Sequence, residues 1–219
     1  MDFEEILFTR QDKVAKITIN RTDKMNSWTV NLIQEWHHAL DLIEQNPDLR
    51  ALIITSAGTK AFSTGFDLSP GAVRDPSGLK YEEKNAIQHR VSMQMAIDLA
   101  LRIWDYPIPP VAAIPGYCLA VAAEVIQMSD VIIASEDAIF GEPEVRHHSG
   151  PAVFTTPWII GIHKAKELLL TGDSIGAEEA MALGLVNHVV PGDVLQDEAQ
   201  RIAERLALVP PLAQRLNTI

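Results

Sequence analysis

A single glutamate, Glu124, interrupts the otherwise apolar start of the segment GYCLAVAAEVIQMSD, residues 116–130. Burying a lone carboxylate costs several kcal/mol unless a partner compensates it. If a helix begins near Val121, its first backbone N–H groups lack intrahelical partners. Such donors can stabilise negative charge that develops on an oxygen. The alternative interpretation is that Glu124 only interacts favourably with the helix dipole at the start of the helix.

A second candidate is the loop AFSTGFDL, residues 61–68, in which Gly65 precedes Phe66. A loop of this kind at a strand end can direct backbone N–H groups at a ligand oxygen. Glycine also marks ordinary tight turns, and that interpretation stays open.

A third candidate is FGEPEVRHHSGP, residues 140–151. The Glu142-Pro143-Glu144 sequence at a strand exit is predicted to present one carboxylate inward and one outward. A solvated loop with an ion pair to Arg146 is the alternative, because exposed charges seldom contribute more than this.

The sequence predicts no metal site and no nucleophilic or dinucleotide-binding motif. His147 and His148 are adjacent, which is poor spacing for binding one ion, and no third ligand has suitable spacing. Neither a G-x-S-x-G elbow nor a G-x-G-x-x-G loop is present.

Composition excludes several classes of partner. The chain has 219 residues, 47% of them hydrophobic, and a formal net charge of −11. This charge disfavours binding to nucleic acid, and no run of about 18 apolar residues predicts a membrane span. The one cysteine, Cys118, fits a reducing compartment, and the start MDFEEILFTR does not resemble a signal peptide. We therefore expect a cytoplasmic protein.

The candidate residues lie among alternating strands and helices, which predicts an α/β fold. Ser27 is placed to cap a long helix that stops near Asn46-Pro47, and residues 116–130 are predicted to form a buried helix. Residues 70–80 are predicted to form a flexible loop, and a further helix is predicted over 82–104. The predicted strands are EILFTR, VAKITIN, ALIITS, PPVAAIPG, DVIIAS, AIFG and the end of AEEAMALGLVNHVV; further helices are predicted at KAKELLLTG and DVLQDEAQRIAERLALVPP.

Four segments in register resemble the crotonase superfamily, also called the enoyl-CoA hydratase/isomerase family. They are RTDKMNSWT (21–29), AFSTGFDL, the long segment 110–144 that ends in FGEPE, and LLLTGDSIGAEEAMALGLVNHVVP (168–191). The resemblance implies a spiral of ββα units over residues 1–192. It also implies that residues 193–219 begin a helical trimerisation region, which we expect to be truncated here.

The resemblance also implies a function for the three candidates. An acyl-CoA thioester is expected as substrate, with its enolate held by the backbone N–H groups of Phe66 and Val121. Glu124 and Glu144 match the two catalytic glutamates, and two acids so close together should share one proton. Residues that match the CoA-binding segments are Lys24, Met25, Ala61, Ser63, Thr64, Asp67 and Leu68.

The chain departs from the family pattern in two places. Ala120-Val121-Ala122 replaces a usual Gly-Gly-Gly. A valine adopts a positive φ with difficulty, so Val121 is expected to have ordinary helix-start geometry. The segment VRHHSGPAVFTTPW replaces a usual Pro-Gly run, so His147 and His148 are expected to line the acyl pocket.

The resemblance predicts an enoyl-CoA hydratase that needs no cofactor beyond the coenzyme A of its substrate. A homotrimer or a dimer of trimers is the expected assembly. The alternatives are an enoyl-CoA isomerase, a hydrolase that cleaves a β-diketone C–C bond with the help of a histidine, and a non-catalytic paralogue that binds acyl-CoA.

Overall fold

The computed structural model describes residues 3–69 and 86–217. Ten strands and eight α-helices are found in these ranges, together with two 3₁₀ helices, Thr22–Lys24 and Pro143–His147. The strands are β1 (Ile6–Gln11), β2 (Val14–Ile19), β3 (Ala51–Ser56), β4 (Ala61–Ser63), β5 (Pro110–Ile114), β6 (Tyr117–Leu119), β7 (Val131–Ser135), β8 (Ile139–Gly141), β9 (Ser174–Gly176) and β10 (His188–Val190).

The helices lie between and after the strand pairs along the chain. They are α1 (Val30–Glu44), α2 (Ala86–Trp104), α3 (Val121–Ile126), α4 (Thr156–Ile160), α5 (Ile162–Thr171), α6 (Ala177–Ala182), α7 (Leu195–Ala207) and α8 (Pro211–Arg215). Helix α5 stops at Gly172, which adopts a left-handed conformation as a C-cap.

The strands form two sheets that the chain visits in turn. The larger sheet has the order β1-β2-β3-β5-β7-β10, and the smaller has the order β4-β6-β8-β9. Each of the pairs β3 and β4, β5 and β6, and β7 and β8 gives its first strand to the larger sheet and its second to the smaller. Within each sheet these strands are parallel. The described residues therefore confirm the predicted α/β spiral of ββα units.

Both faces of the larger sheet are covered, which explains why all six residues of β3 are buried. Alternate β3 side chains enter two hydrophobic clusters: Leu52 and Ile54 join the main core, and Ala51 and Ile53 join a second cluster. Helix α7 supplies the outer side of the second cluster. The first helix of the predicted trimerisation region thus packs against its own chain, and a role in assembly stays a prediction.

Several predicted boundaries are wrong. The segment 116–130 is not helical throughout, because residues 117–119 form strand β6 before α3 begins at Val121. The N-cap of α1 is Thr29, whose side chain accepts a hydrogen bond from the Leu32 N–H, and not Ser27. The Ser27 hydroxyl is instead contacted by Arg21. The predicted loop 70–80 and the predicted helix start at 82–85 lie outside the described residues.

No helix in residues 3–69 or 86–217 combines the length and apolar character needed to cross a membrane.

Candidate active site

Glu124 lies in the first turn of α3 and only 1% of its surface is exposed. Its Oε2 accepts a hydrogen bond of 2.5 Å from the backbone N–H of Val153. Burial is the largest influence on its acidity, and together with the nearby carboxyls of Glu144 and Glu142 it raises the pKa of Glu124 to about 9. Glu124 therefore favours its protonated form at neutral pH, although the hydrogen bond from the Val153 N–H favours the ionised form.

Glu144 lies beside Glu124, close enough for each carboxyl to change the acidity of the other. Glu144 stands on the 3₁₀ helix Pro143–His147, and its Oε2 is buried without a hydrogen-bond partner among the described residues. Burial raises the pKa of Glu144, while the neighbouring Glu124 carboxyl and His147 oppose that shift. Two carboxyls in contact cannot both ionise cheaply, so the pair is suited to hold a single proton.

A third acid, Glu142, is also directed inward, so the expectation of one inward and one outward carboxylate is wrong. Glu142 is 6% exposed, and its Oε1 accepts a hydrogen bond from the Thr156 hydroxyl. Arg146 does not pair with either glutamate; its guanidinium lies 2.5 Å from Asp173 Oδ1. Burial, with the charge of Glu144, raises the pKa of Glu142.

Two backbone N–H groups lie near one another where the loop after β4 meets the start of α3. Phe66 forms a parallel bridge with Trp28 through the flanking residues Gly65 and Asp67, so its own N–H points away from Trp28. A Cβ built on Gly65 would lie 3.7 Å from the Val121 nitrogen. Among the described residues, no backbone carbonyl accepts a hydrogen bond from either the Phe66 or the Val121 N–H.

Val121 is the first helical residue of α3, which confirms its expected helix-start geometry. The unusual backbone belongs instead to Ala120, with φ 56° and ψ −142°. This region of conformational space is close to glycine-only, and an alanine held there is strained. The strained residue sits directly before the Val121 N–H, so it fixes the direction of that donor.

The residues matched to CoA-binding segments differ in exposure. Lys24 and Leu68 are exposed, whereas Ala61 and Ser63 are buried. The Ser63 hydroxyl accepts a hydrogen bond from the Gly65 N–H and so shapes the loop from inside.

Met25 and Thr64 are half-buried, and Met25 has a left-handed conformation with φ 52°. Next to it, the Asn26 amide donates hydrogen bonds to the carbonyls of Ala57 and Ala61. These bonds tie the segment 22–26 to the loop after β3. The two CoA-matching segments therefore lie side by side.

Asp67 is occupied by protein partners. Its carboxylate lies 3.1 Å from the Arg21 guanidinium, which also pairs with Glu5 at 2.8 Å. Burial favours the neutral acid, but hydrogen bonds from Ser69 and the Arg21 charge outweigh burial and lower the pKa of Asp67 to about 2. Asp67 thus anchors its loop, and a direct role in substrate binding stays a prediction.

His147 and His148 are both exposed on this chain, and His148 has a left-handed backbone with φ 58°. His147 acts on Glu144 electrostatically. Their place in an acyl pocket stays a prediction. In the part of the chain that the structure describes, no group of three His, Cys, Asp or Glu side chains is arranged to hold a metal ion.

Sequence reasoning named Glu142 but missed its partners Gln127 and Thr156. Gln127 is the C-cap of α3 and follows Glu124 by three positions with helical backbone geometry, so it faces the same side. A second polar residue at that spacing in an apolar helix was the available signal.

Comparison with known proteins places this geometry in context. Residues 9–218 match the family model described as Enoyl-CoA hydratase/isomerase. The chain is 30% identical over 220 residues to the short-chain-enoyl-CoA hydratase of Clostridium acetobutylicum, covering 99% of this chain and 80% of that protein. It is 32% identical to the crotonyl-CoA hydratase of Syntrophomonas wolfei, covering 99% and 81%.

A similar crystal structure is that of an enoyl-CoA hydratase/isomerase from Xanthobacter autotrophicus Py2. The TM-score is 0.91 at 35% sequence identity, and the match covers 99% of this chain and 78% of that one.

Proposed function

Because the chain belongs to the enoyl-CoA hydratase/isomerase family, we propose that it adds water reversibly to a 2-enoyl-CoA thioester. The observation that carries this proposal is that the buried Glu124 carboxyl and the half-buried Glu144 carboxyl lie together and act on each other's acidity. Two acids that hold one proton supply both the base and the acid that hydration requires.

The two backbone amides act on the thioester carbonyl. In this proposal the N–H groups of Phe66 and Val121 donate to the carbonyl oxygen and stabilise the enolate that forms there. Preorganised donors of this type are each worth about 3 kcal/mol of barrier. Neither amide donates to a backbone carbonyl within the described residues, so both remain available to a substrate.

The proton of the acid pair is used during the addition. The ionised carboxylate takes a proton from water as the water oxygen bonds to the β-carbon, and the C=C electrons move to the thioester oxygen. The protonated carboxyl then delivers its proton to the α-carbon as the enolate collapses. After both transfers the pair again holds one proton, so the same pair serves the reverse reaction.

We further propose that Lys24, Met25 and the loop 61–68 contact the coenzyme A part of the substrate. The side-by-side arrangement of these segments supports the proposal. We propose no cofactor other than this coenzyme A, and we propose assembly as a homotrimer or a dimer of trimers. The exposure of His147 and His148 on this chain gives no support to a histidine-dependent hydrolase.

Hydration of crotonyl-CoA by the purified protein tests the function. Glu124→Gln and Glu144→Gln should each lower kcat by about 10²–10⁴-fold, because each removes a proton-transfer group. Glu136→Gln, an exposed acid on the turn after β7, is the matched control and should leave kcat unchanged. Circular dichroism of every variant separates lost chemistry from lost folding.

Activity that survives in both active-site variants would refute the two-carboxylate mechanism. Tight binding of acyl-CoA without turnover of any enoyl thioester would instead identify a non-catalytic paralogue. Turnover limited to moving the double bond would identify an isomerase.

A further inference from the structure

A chain of four polar side chains lies beside the acid pair. The Thr155 hydroxyl donates to Gln127 Oε1 at 3.0 Å, and Gln127 Nε2 donates to Thr156 Oγ1 at 3.1 Å. The Thr156 hydroxyl in turn donates to Glu142 Oε1. We call this arrangement the relay. Gln127 Nε2 also lies 3.5 Å from Glu142 Oε1, and Thr156 Oγ1 lies 3.3 Å from Gln127 Oε1, so the four side chains form a connected cluster that includes the Glu142 carboxyl.

The relay joins the same three segments that hold the acid pair. Helix α3 carries Glu124 and one relay member, and the segment after β8 carries Glu144 and another. The stretch 153–156, which includes the N-cap and first residue of α4, carries the relay threonines and also Val153, whose N–H donates to Glu124. Each segment thus supplies either an acid of the pair or a hydrogen-bond donor to it, and each also supplies at least one member of the relay.

The buried Glu142 carboxyl connects the relay to the acid pair. Glu142 is only 6% exposed, and its Oε2 has no hydrogen-bond partner among the described residues. The charged groups that act on Glu124 are Glu144 and Glu142, and those that act on Glu144 are Glu124 and His147. A negative charge on Glu142 therefore opposes ionisation of the neighbouring pair.

We propose that Glu142 is a positioning residue for the Glu124–Glu144 pair: the relay fixes the spacing of the three segments, and the Glu142 carboxyl biases the pair to retain one proton. This inference rests on the proposed function for its catalytic meaning. Its physical content concerns only the acids of this chain, so it can be tested without turnover.

The first experiment is a titration of the full chain labelled with ¹³C at the glutamate carboxyls. The resonance that Glu124→Gln removes identifies the pair. In Glu142→Gln, which keeps an oxygen acceptor for Thr156 but no charge, the midpoint of that resonance should move toward acid by about one pH unit. Glu136→Gln, the exposed control, should leave it in place.

An unchanged midpoint in folded Glu142→Gln overturns the electrostatic part of the proposal. The same variant should shift the pH dependence of kcat/KM for crotonyl-CoA in the same direction. If the wild-type chain hydrates no enoyl thioester, the proposed function fails, and the carboxyl titration still decides the inference.

The second experiment addresses positioning and serves also if Glu142→Gln does not fold. Thr156→Val removes the relay hydroxyl at nearly constant volume, and Thr156→Ser keeps it. We expect kcat in the valine variant to be roughly tenfold or more below that in the serine variant, since small displacements of reacting groups are costly. Equal kcat values in the two variants would refute the positioning role.

Discussion

Gly65 and Ala120 face each other at the candidate site so closely that only one of them can carry a Cβ atom. A Cβ built on Gly65 would lie 2.7 Å from the Ala120 Cβ, a distance that forces a neighbour to move. Gly65 also has φ +87°, and Ala120 has φ 56°. A double-mutant cycle of Gly65→Ala, Ala120→Gly and their combination separates backbone strain from the steric clash.

The backbone angles and the short Cβ distance set the expected change in unfolding free energy for each variant. Gly65→Ala should cost about 1–2 kcal/mol for an alanine at positive φ and about 1–3 kcal/mol for the clash with Ala120. Ala120→Gly should release about 1–3 kcal/mol of backbone strain. The greater freedom of glycine in the unfolded chain should offset roughly 0.5–1 kcal/mol of that gain. In the double variant Gly65→Ala keeps its positive-φ cost but loses the clash, so the coupling energy should be about 1–3 kcal/mol.

Equilibrium unfolding in urea measures the four free energies. All four proteins must be compared at one concentration, because the proposed assembly would make stability depend on concentration. With an m-value of about 2 kcal/mol/M, a coupling of about 2 kcal/mol moves the midpoint by roughly 1 M. Free energies that add to within about 0.5 kcal/mol would show that the two positions do not clash, and the proposed close approach would be wrong.

Two further predictions follow from buried acids. The pKa of Glu124 rises from 4.5 to about 9 on folding, so wild-type stability should fall as pH rises through that interval. Glu124→Gln should therefore gain unfolding free energy relative to wild type by up to about 1.4 kcal/mol per pH unit; a pH-independent difference would contradict this. The pKa of Asp67 falls from 3.8 to about 2, so its contribution is present above pH 3.8 and is lost on acidification. Asp67→Asn should cost at most about 2 kcal/mol at neutral pH, and no loss in thermal unfolding at pH 7 would refute the Arg21 pairing.

Much of the fold was predictable because its elements have strong local signals. Buried strands such as β3 are continuous apolar runs, and Gly172 ends α5 where the sequence indicated. Strand β6 was missed because three residues of strand inside an apolar run have no distinctive period. The true cap of α1 was missed because Ser27 and Thr29 have the same chemistry. Only the structure shows that the Ser27 hydroxyl accepts a hydrogen bond from Arg21 and is therefore not the cap.

The candidate site was predictable in part. Glu124 is conspicuous as a buried acid, and the family resemblance adds Glu144. Glu142 was misassigned because residues two apart were assigned to opposite faces of the chain. Instead Pro143 begins a 3₁₀ helix, and the change of backbone turns both flanking acids inward. The relay could not be predicted, since it joins residues from three segments that only the fold brings together.

Because Trp28 is bridged to the loop that holds Phe66, its fluorescence is sensitive to the surroundings of that loop. Trp28 is fully buried and packs edge-on against both Trp36 and the Phe66 ring. Trp104 and Trp158 are 57% and 78% exposed, so a soluble quencher reaches them and spares the buried pair. We therefore expect the unquenched emission to report on the wall beside the Phe66 amide and to change when the proposed thioester substrate binds there, before any bond is made.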